Sequence, residues 1–347
     1  MCKTDKKCGR STTPLLHHGP RLMAAVVMGA LNSLALLSLL LPLVTLWLAW
    51  KFPYIVIPPG IAYCILSYDG TELKEGRPWR TFAEQAWMFR LARAYHDMQL
   101  HLHPELDPSK MTGEEQFVFA LHPHGVTADY RVLLDGVIGE NFPKLRSWRA
   151  LAASVMLKFP IMREILLWCH CIDAGKKTAE HALSRGHSLF IVPGGEHEQI
   201  LGEFGKEVLY LKKRMGFIKL ALRNEIPVVP VYVFGANDTF YTSSLLQRER
   251  LTLVKRLRVA FPLFWGRFGL LIPREVHYRV VFGAPLRFAS ETETDSDSHV
   301  SVDKDGLKEV SDKQLIKAHG AYVDALKQLF DENKSRFGYA DRELCVM

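Results

Sequence analysis

Residues 117–130 read FVFALHPHGVTADY, and this stretch contains the step from a buried strand to a loop rich in ionisable groups. Its first five residues are apolar, with aromatic and branched side chains, which predicts a short buried strand. His122 and His124 flank a proline directly after that strand, and Asp129 stands five residues beyond the second histidine. Such a loop is either a catalytic or metal-binding strand end, or a turn that happens to contain histidines.

Strands and helices alternate along the rest of the chain. Short apolar runs predict buried strands at Phe117–Leu121, Leu189–Val192, Val228–Phe234 and Val276–Phe282. Apolar spacing predicts helices over Thr81–Leu100, Trp148–Trp168 with a break near Pro160, Leu209–Asn224, and a C-terminal stretch around Leu315–Phe330. This alternation indicates an α/β fold with a mixed, partly parallel sheet flanked by helices.

A long apolar segment precedes these elements. No residue from Leu22 to Trp50 is charged, and this run exceeds the roughly 20 apolar residues that a helix needs to cross a bilayer. A second uncharged run, Phe52–Tyr68, contains three prolines, which bend helices and remove backbone donors. A hairpin or a re-entrant second limb therefore fits better than two straight crossings.

Basic residues on both sides of this segment predict that the chain enters and leaves on the cytosolic face. They are Lys3, Lys6, Lys7, Arg10 and Arg21 before it, and Lys74, Arg77, Arg80, Arg90 and Arg93 after it. The predicted division is a cytosolic tail over 1–21, a membrane-embedded helical hairpin over 22–68 and a folded domain over 69–347. Within that domain, the acidic and serine-rich residues 289–312 predict a flexible solvated loop. A single span with the domain across the membrane is the alternative.

Composition narrows the class of partner. The chain of 347 residues is 48% hydrophobic and carries a net charge of +7, which suits anionic lipid or a phosphorylated ligand. No basic stripe interleaves with exposed aromatic residues, so no nucleic-acid partner is expected.

Two local features have more than one interpretation. Residues 251–274 mix aromatic and apolar side chains with lysine and arginine, and this mixture suits either a bilayer interface or an ordinary core-facing segment. The cluster Cys169-His170-Cys171 lacks a second pair for zinc, which favours packing roles.

Two loops are expected to meet at one edge of the sheet. Ligands of α/β proteins collect beyond the carboxyl ends of the strands, and residues 193–198, PGGEHE, follow the strand Leu189–Val192. A histidine oriented by a carboxylate can serve as a general base, because the carboxylate fixes the tautomer and stabilises the imidazolium. For His124, the two candidate carboxylates are Asp129 and Glu198.

Several ordered blocks resemble the type-2 diacylglycerol acyltransferase family, which includes monoacylglycerol acyltransferases and wax synthases. The sequence His-Pro-His-Gly at 122–125 is similar to the family's signature. Further similar blocks follow in the family's order: FPIMRE at 159–164, VPGGEHE at 192–198, RMGFIKLA at 214–221, VPVYVFGAN at 229–237 and a closing helix at 325–338. One departure is Asp129, which also completes the histidine-four-residues-aspartate pattern of glycerophosphate acyltransferases.

The resemblance implies a membrane enzyme that moves an acyl group from acyl-CoA to the hydroxyl of diacylglycerol, forming triacylglycerol. His124 would be the base, oriented by Asp129 or Glu198, and glycine N–H groups would stabilise the oxyanion. The predicted substrate-binding residues, drawn from the resemblance and from the charge pattern together, are His122, Gly125, Arg163, Gly194, Gly195, Lys212, Arg214, Gly216 and Lys219. A thioester is already activated, so no metal or cofactor is expected beyond acyl-CoA as co-substrate.

For two of these predicted binding features, the residues also fit a purely structural role. Lys212, Gly216, Lys219 and Arg223 follow one another at helical spacing, so they form either a phosphate-binding stripe or a solvated helix face. Arg163 suits either a ligand contact or an ion pair.

Other functions stay open from the sequence. The acceptor could instead be monoacylglycerol, a fatty alcohol or a lysophospholipid. More distant alternatives are a zinc-dependent lipid hydrolase that uses His122, His124 and an acid, and a non-enzymatic lipid-droplet protein. The expected partners are acyl-CoA, diacylglycerol and membrane lipids, and homo-oligomer formation is left open. The resemblance implies the endoplasmic reticulum membrane, with the catalytic domain cytosolic and lipid droplets as a second location.

Overall fold

The computed structural model of the protein describes residues 18–257, 260–288 and 309–347. Most of the predicted cytosolic tail and most of the predicted acidic loop lie outside these residues. The helices are α1 (His18–Lys51), α2 (Pro53–Ser67), α3 (Arg80–Gln85), α4 (Trp87–Tyr95), α5 (Asp129–Asn141), α6 (Met162–Trp168), α7 (Lys176–Ser184), α8 (Gly195–Leu201), α9 (Gly216–Asn224), α10 (Gln247–Leu257) and α11 (Asp312–Lys334). The strands are β1 (Gln99–Leu102), β2 (Val118–His122), β3 (Trp148–Ala152), β4 (Cys171–Asp173), β5 (Ser188–Ile191), β6 (Glu207–Leu209), β7 (Val228–Phe234), β8 (Tyr241–Thr242), β9 (Phe264–Trp265), β10 (Arg279–Phe282) and β11 (Leu344–Val346).

Seven strands form the central sheet in the order β1, β10, β7, β2, β5, β3, β4. Strands β7, β2, β5, β3 and β4 pair in parallel, whereas β10 runs antiparallel to β7 and carries β1 alongside it in parallel. The prediction of a mixed, partly parallel sheet flanked by helices is confirmed. Because β2 and β5 are parallel neighbours, the loops that follow them begin side by side at one edge.

The sheet separates two apolar cores, because successive side chains of a strand point to opposite faces. Phe119 and Leu121 of β2 face a core that is completed by α3, α4 and α5. Val118 and Ala120 face the other core, which contains side chains of α7, α9 and α11. Strand β2 is buried on both faces, which explains why its sequence is a continuous apolar run rather than an alternating one.

The N-terminal segment folds as two helices separated by Phe52. By length and composition, α1 is able to cross a membrane over Arg21–Lys51. Helix α2 has 15 residues, or about 22 Å of length, which is less than the roughly 30 Å of a bilayer's hydrocarbon core. It is helical in spite of Pro58 and Pro59, and the membrane hairpin stays a prediction.

Two helix predictions are wrong in part. Residues 148–152 are the strand β3 rather than the start of a helix, because they pair with β5 and β4 in the sheet. The helix predicted from Leu209 begins only at Gly216, since residues 207–209 form β6 and pair with β11 near the end of the chain. Both errors occur where pairing with distant strands outweighs local spacing. The predicted helix over Thr81–Leu100 is divided at Ala86 into α3 and α4, and its last two residues belong to β1.

Candidate active site

The imidazole of His124 has a defined tautomer. Its Nδ1 lies 2.9 Å from the Gly125 carbonyl oxygen, and a carbonyl oxygen can only accept a hydrogen bond. Nδ1 therefore carries the proton, and Nε2 carries the lone pair. Burial lowers the pKa of His124, while the Gly125 carbonyl and the Glu196 carboxylate act in the opposite direction and do not cancel that effect. The ring is consequently neutral at neutral pH, which is the form that a general base requires.

Glu198 joins the loop after β2 to the loop after β5. Its side chain is 2% exposed, and its two carboxylate oxygens accept hydrogen bonds from backbone N–H groups. The donors are the N–H of His124 at 2.5 Å and that of Tyr210 at 2.8 Å. Burial raises the pKa of Glu198 to about 7, although both amide donors favour the ionised form. Glu198 thus fixes the main chain at His124 rather than its ring.

Two glycines make these close approaches possible. A Cβ atom at Gly194 would overlap the Glu198 side chain, with 2.7 Å to the glutamate Cβ alone. Gly125 has a φ of 64°, in the left-handed region that favours glycine, and its Cβ would lie 3.1 Å from the Ala236 carbonyl oxygen. The glycines therefore let the loops after β2, β5 and β7 pack together at the same edge.

Asp129 is the first residue of α5 and is held by Tyr130 of the same helix and by Tyr278, which precedes β10. Its Oδ1 accepts hydrogen bonds from the Tyr278 hydroxyl at 2.8 Å and from the Tyr130 N–H at 2.9 Å. Its Oδ2 is buried and has no hydrogen-bond partner within the part of the chain that the structure describes. Among the same residues, neither Asp129 nor Glu198 hydrogen-bonds the His124 ring, whose partner is the Gly125 carbonyl.

Two residues predicted to bind substrate are buried. His122 is fully buried at the end of β2, and its Nε2 lies 2.9 Å from the Tyr322 hydroxyl on α11. Burial lowers the pKa of His122 to about 3, so the ring stays neutral. The Arg163 side chain is also fully buried, and it donates to the Ser67 carbonyl at 2.6 Å and pairs with Glu72 at 2.7 Å. Of the two alternatives for Arg163, the structure therefore contains the ion pair.

Of the basic residues after β6, Arg214 contacts the glycine loop, whereas Lys212 is exposed to solvent. Arg214 reaches the glycine loop, with Nη2 at 3.3 Å from the Gly194 carbonyl oxygen and at 3.0 Å from Nδ1 of His197. Lys212 is exposed but precedes α9, so the predicted four-residue helical stripe is wrong. Gly216 is exposed at the first position of α9, and Lys219 lies one turn further along the same helix.

Three tyrosines that support the site were missed from the sequence. They are Tyr210 and Tyr278, which hold the two carboxylates, and Tyr130, whose hydroxyl donates to the Pro123 carbonyl at 2.7 Å. Tyr278 lies 149 residues from Asp129 along the chain. No local pattern links such distant residues, so sequence spacing carried no signal for them.

The side chains of Cys169, His170 and Cys171 are buried and pack against their neighbours. His170 stacks on Trp148 with ring centroids 4.8 Å apart, and its Nδ1 lies 3.4 Å from the buried Asp135 carboxylate. Cys169 and Cys171 are buried free thiols. Over residues 18–257, 260–288 and 309–347, no three histidine, cysteine, aspartate or glutamate side chains are grouped so as to hold a metal ion.

Comparison with known proteins places this α/β chain among the acyltransferases. The model of the family described as diacylglycerol acyltransferase matches residues 50–347, and the chain belongs to that family. Diacylglycerol O-acyltransferase 2 of Dictyostelium discoideum is 31% identical over 334 residues, which cover 90% of this chain and 92% of that protein. The resemblance seen in the sequence blocks is confirmed.

Other similar proteins include both 2-acylglycerol and diacylglycerol O-acyltransferases. 2-acylglycerol O-acyltransferase 1 of Mus musculus is 26% identical, over 93% of this chain and 94% of that protein. Diacylglycerol O-acyltransferase 2 of Mus musculus is 27% identical, over 80% of this chain and 71% of that protein. Among solved structures, a 1-acyl-sn-glycerophosphate acyltransferase from Thermotoga maritima aligns with a TM-score of 0.40 and 15% identity, over 85% of this chain and 99% of that one.

Proposed function

We propose that the protein is a membrane O-acyltransferase that moves an acyl group from acyl-CoA to the hydroxyl of diacylglycerol, forming triacylglycerol. The observation that carries this proposal is the state of His124. Its Nδ1–H is engaged by the Gly125 carbonyl, so the lone pair on Nε2 is left to accept a proton. Family membership supplies the reaction class, and His124 supplies the base that the reaction needs.

In the proposed reaction, Nε2 of His124 removes the proton from the acceptor hydroxyl as its oxygen attacks the thioester carbonyl carbon. The resulting oxyanion is stabilised by backbone N–H groups at Gly194 and Gly195. The intermediate then collapses, the carbon–sulfur bond breaks, and the departing CoA sulfur takes the proton back from the imidazolium. Glu196, which raises the pKa of His124, stabilises the imidazolium while it exists.

In this proposal, the carboxylates of Glu198 and Asp129 hold other groups in position. Glu198 holds the main chain of His124 and that of Tyr210 together, and this contact keeps the glycine loop beside the histidine loop. Asp129 has a buried oxygen whose hydrogen-bonding capacity is unused within the described residues. We propose that this oxygen faces the acceptor and would accept a hydrogen bond from the second hydroxyl of a monoacylglycerol, since the single hydroxyl of diacylglycerol donates to His124.

Acyl-CoA is expected to bind on the basic side of the glycine loop. Arg214 supports this placement, since its guanidinium contacts the Gly194 carbonyl, and Lys212 and Lys219 flank it in sequence. Gly216 leaves open space, because a Cβ there would meet nothing within 4 Å. These groups would receive the phosphates of CoA. His122 and Arg163 are buried, so they would affect substrate binding only through the residues that they contact. These are Tyr322 for His122, and Ser67 and Glu72 for Arg163.

The membrane part of the proposal rests on α1 and on how α2 is attached. The hydroxyl of Tyr63 in α2 donates to the Glu164 carboxylate at 2.8 Å, and Arg163 binds the Ser67 carbonyl at the end of α2. These bonds fix the apolar helices to the acyltransferase domain, 69–347. We assign residues 22–68 to a membrane hairpin, with the domain on the cytosolic face of the endoplasmic reticulum and lipid droplets as a second location.

Monoacylglycerol is the second candidate acceptor, because a 2-acylglycerol O-acyltransferase is similar over almost the whole chain. The test uses purified protein in vesicles, labelled acyl-CoA, and diacylglycerol, monoacylglycerol, fatty alcohol or lysophospholipid offered separately. Labelled triacylglycerol is the expected main product. Release of labelled free acid without an acceptor would favour a hydrolase, and an unlabelled acceptor in every arm would favour a non-enzymatic lipid-droplet protein.

A further inference from the structure

An exposed apolar segment lies at the active-site edge of the domain. Residues 260–272 read AFPLFWGRFGLLI and contain a single charged residue, Arg267. Phe268 is 83% exposed, and four further large apolar side chains of this segment are exposed: Phe261, Leu263, Trp265 and Leu270. A cluster of this kind marks an interaction site on a soluble surface or a contact with lipid. We call residues 260–272 the apolar loop.

The apolar loop is attached to the helix that is long enough to cross a membrane. Gly29 of α1 lies so close to Ile272 that a Cβ at Gly29 would come within 2.8 Å of the isoleucine Cγ1. The Asn32 side-chain amide donates to the Leu271 carbonyl at 3.4 Å. The end of the apolar loop therefore lies beside α1 about three to four turns from the start of that helix, and whatever surrounds this part of α1 also meets the loop.

An ion pair marks the polar boundary of this attachment. Arg21, at the start of the uncharged part of α1, lies 3.4 Å from Glu275, just beyond the end of the apolar loop. Charged groups that close an apolar stretch at this level are expected at the headgroup layer of a bilayer. From Arg21 to Asn32, α1 advances about 16 Å, so the contacts at Gly29 and Asn32 lie on the apolar side of the pair.

The chemistry of the apolar loop selects lipid as its partner. It combines phenylalanine, tryptophan and leucine with one arginine, whose guanidinium lies 5.5 Å from the Phe268 ring, and it contains no acidic residue. Lys255 and Arg256, both exposed, add positive charge in the last turn of α10. Aromatic and apolar groups flanked by cations are typical of segments that lie in the interface of anionic membranes.

Hydrogen bonds connect the base of the apolar loop to the active site. The N–H of Arg274 donates to the Thr239 carbonyl at 2.8 Å, and the Thr239 hydroxyl lies 3.1 Å from the Tyr278 hydroxyl. The same Tyr278 hydroxyl donates to Asp129. Insertion of the apolar loop would therefore bring the Asp129 end of the site close to the acyl chains of the bilayer.

We propose that the apolar loop inserts into the leaflet that faces the domain, as a second membrane contact beside α1, and so holds the acceptor entrance at the lipid surface. The role in acceptor entry rests on the proposed function, whereas insertion itself does not. The inserted side chains, led by Phe268, would reach about 5–10 Å into the boundary between headgroups and acyl chains.

The test measures the environment of position 268 in full-length protein. Phe268 is replaced by an environment-sensitive fluorescent amino acid, and the protein is placed in vesicles of phosphatidylcholine and phosphatidylserine. The matched control replaces Ile316, an exposed apolar side chain of α11. We expect blue-shifted emission at 268, protection from iodide, and quenching by spin-labelled lipid, whereas 316 is quenched by iodide only. Equal iodide quenching at positions 268 and 316 overturns the proposal. Protection of position 268 in crude microsomes but not in lipid vesicles also overturns it, because that result would indicate a protein partner.

A kinetic measurement separates this proposal from the proposed function. We expect Phe268→Ser to raise the KM for diacylglycerol in vesicles and to leave kcat unchanged, while Ile316→Ser changes neither. Membrane protection at 268 in a protein that acylates no acceptor would leave the lipid contact standing and remove the proposed function. An unchanged KM in Phe268→Ser would remove the role in acceptor entry.

Discussion

The buried carboxyl group of Glu198 predicts how stability depends on pH. Burial raises its pKa from 4.5 to about 7 in the folded protein. Between these values, the folded state holds more protons than the unfolded state, so the free energy of unfolding falls as pH rises. The difference in pKa corresponds to a loss of about 2–3 kcal/mol between pH 5 and pH 8.

Replacing Glu198 by glutamine removes this titration and keeps the size of the side chain. The variant should therefore lack the fall of about 2–3 kcal/mol that Glu198 contributes to the wild type over that range. Glutamine has one acceptor oxygen for the two N–H groups of His124 and Tyr210, so one donor is left without its bond. That loss should lower the stability of the variant by about 1–3 kcal/mol, largely independent of pH.

The assay is denaturant unfolding in detergent micelles at pH 5, 6, 7 and 8, followed by tryptophan fluorescence. The quantity of interest is the difference between wild type and Glu198→Gln at each pH, because other titrating groups cancel in it. Glu203→Gln is the control, since the Glu203 side chain is 45% exposed, against the buried Glu198, and pairs with Lys206. Parallel pH curves for wild type and Glu198→Gln would refute the reasoning.

Three further outcomes are expected. Gly194→Ala should displace the Glu198 carboxylate and lower kcat at least tenfold. If the loss acts through Glu198, Gly194→Ala should have little further effect in a Glu198→Ala protein. An equal loss of kcat in both backgrounds would contradict this explanation. Glu196→Gln should move the acid limb of the kcat/KM profile to lower pH, because it removes a charge that raises the pKa of His124; an unmoved limb would exclude this influence. Arg163→Gln removes a fully buried guanidinium that binds the Ser67 carbonyl and the partly exposed Glu72, and it should lower the free energy of unfolding by about 1–3 kcal/mol; an unfolding midpoint equal to that of the wild type would be the contrary result.

Much of the fold was predictable because its central strands are buried on both faces. Strand β7 coincides with the apolar run Val228–Phe234, and β2 differs from its predicted bounds by one residue at each end. Strands β3 and β6 were not predictable in this way. Glu207 of β6 is polar yet buried, and its place depends on the Tyr232 hydroxyl and on Arg342, both distant in the chain.

The meeting of the two loops was also predictable, because His124 and Glu198 each follow an apolar strand and parallel neighbours share one edge. The contacts within the site were not. The bond from His124 to the Gly125 carbonyl depends on a backbone turn with φ of 64° at Gly125, and the bond from Tyr278 to Asp129 joins residues that are 149 positions apart in the chain. Such contacts follow from the folded backbone rather than from spacing.

The central claim is that Nε2 of His124 receives the proton of the acceptor hydroxyl. Its most direct test is the initial rate of labelled triacylglycerol formation in vesicles by His124→Gln, with the unfolding midpoint confirming an intact fold. The account predicts a fall of about 10²–10⁴-fold in kcat, the usual contribution of a general base. A folded His124→Gln protein that keeps a rate close to that of the wild type would contradict it.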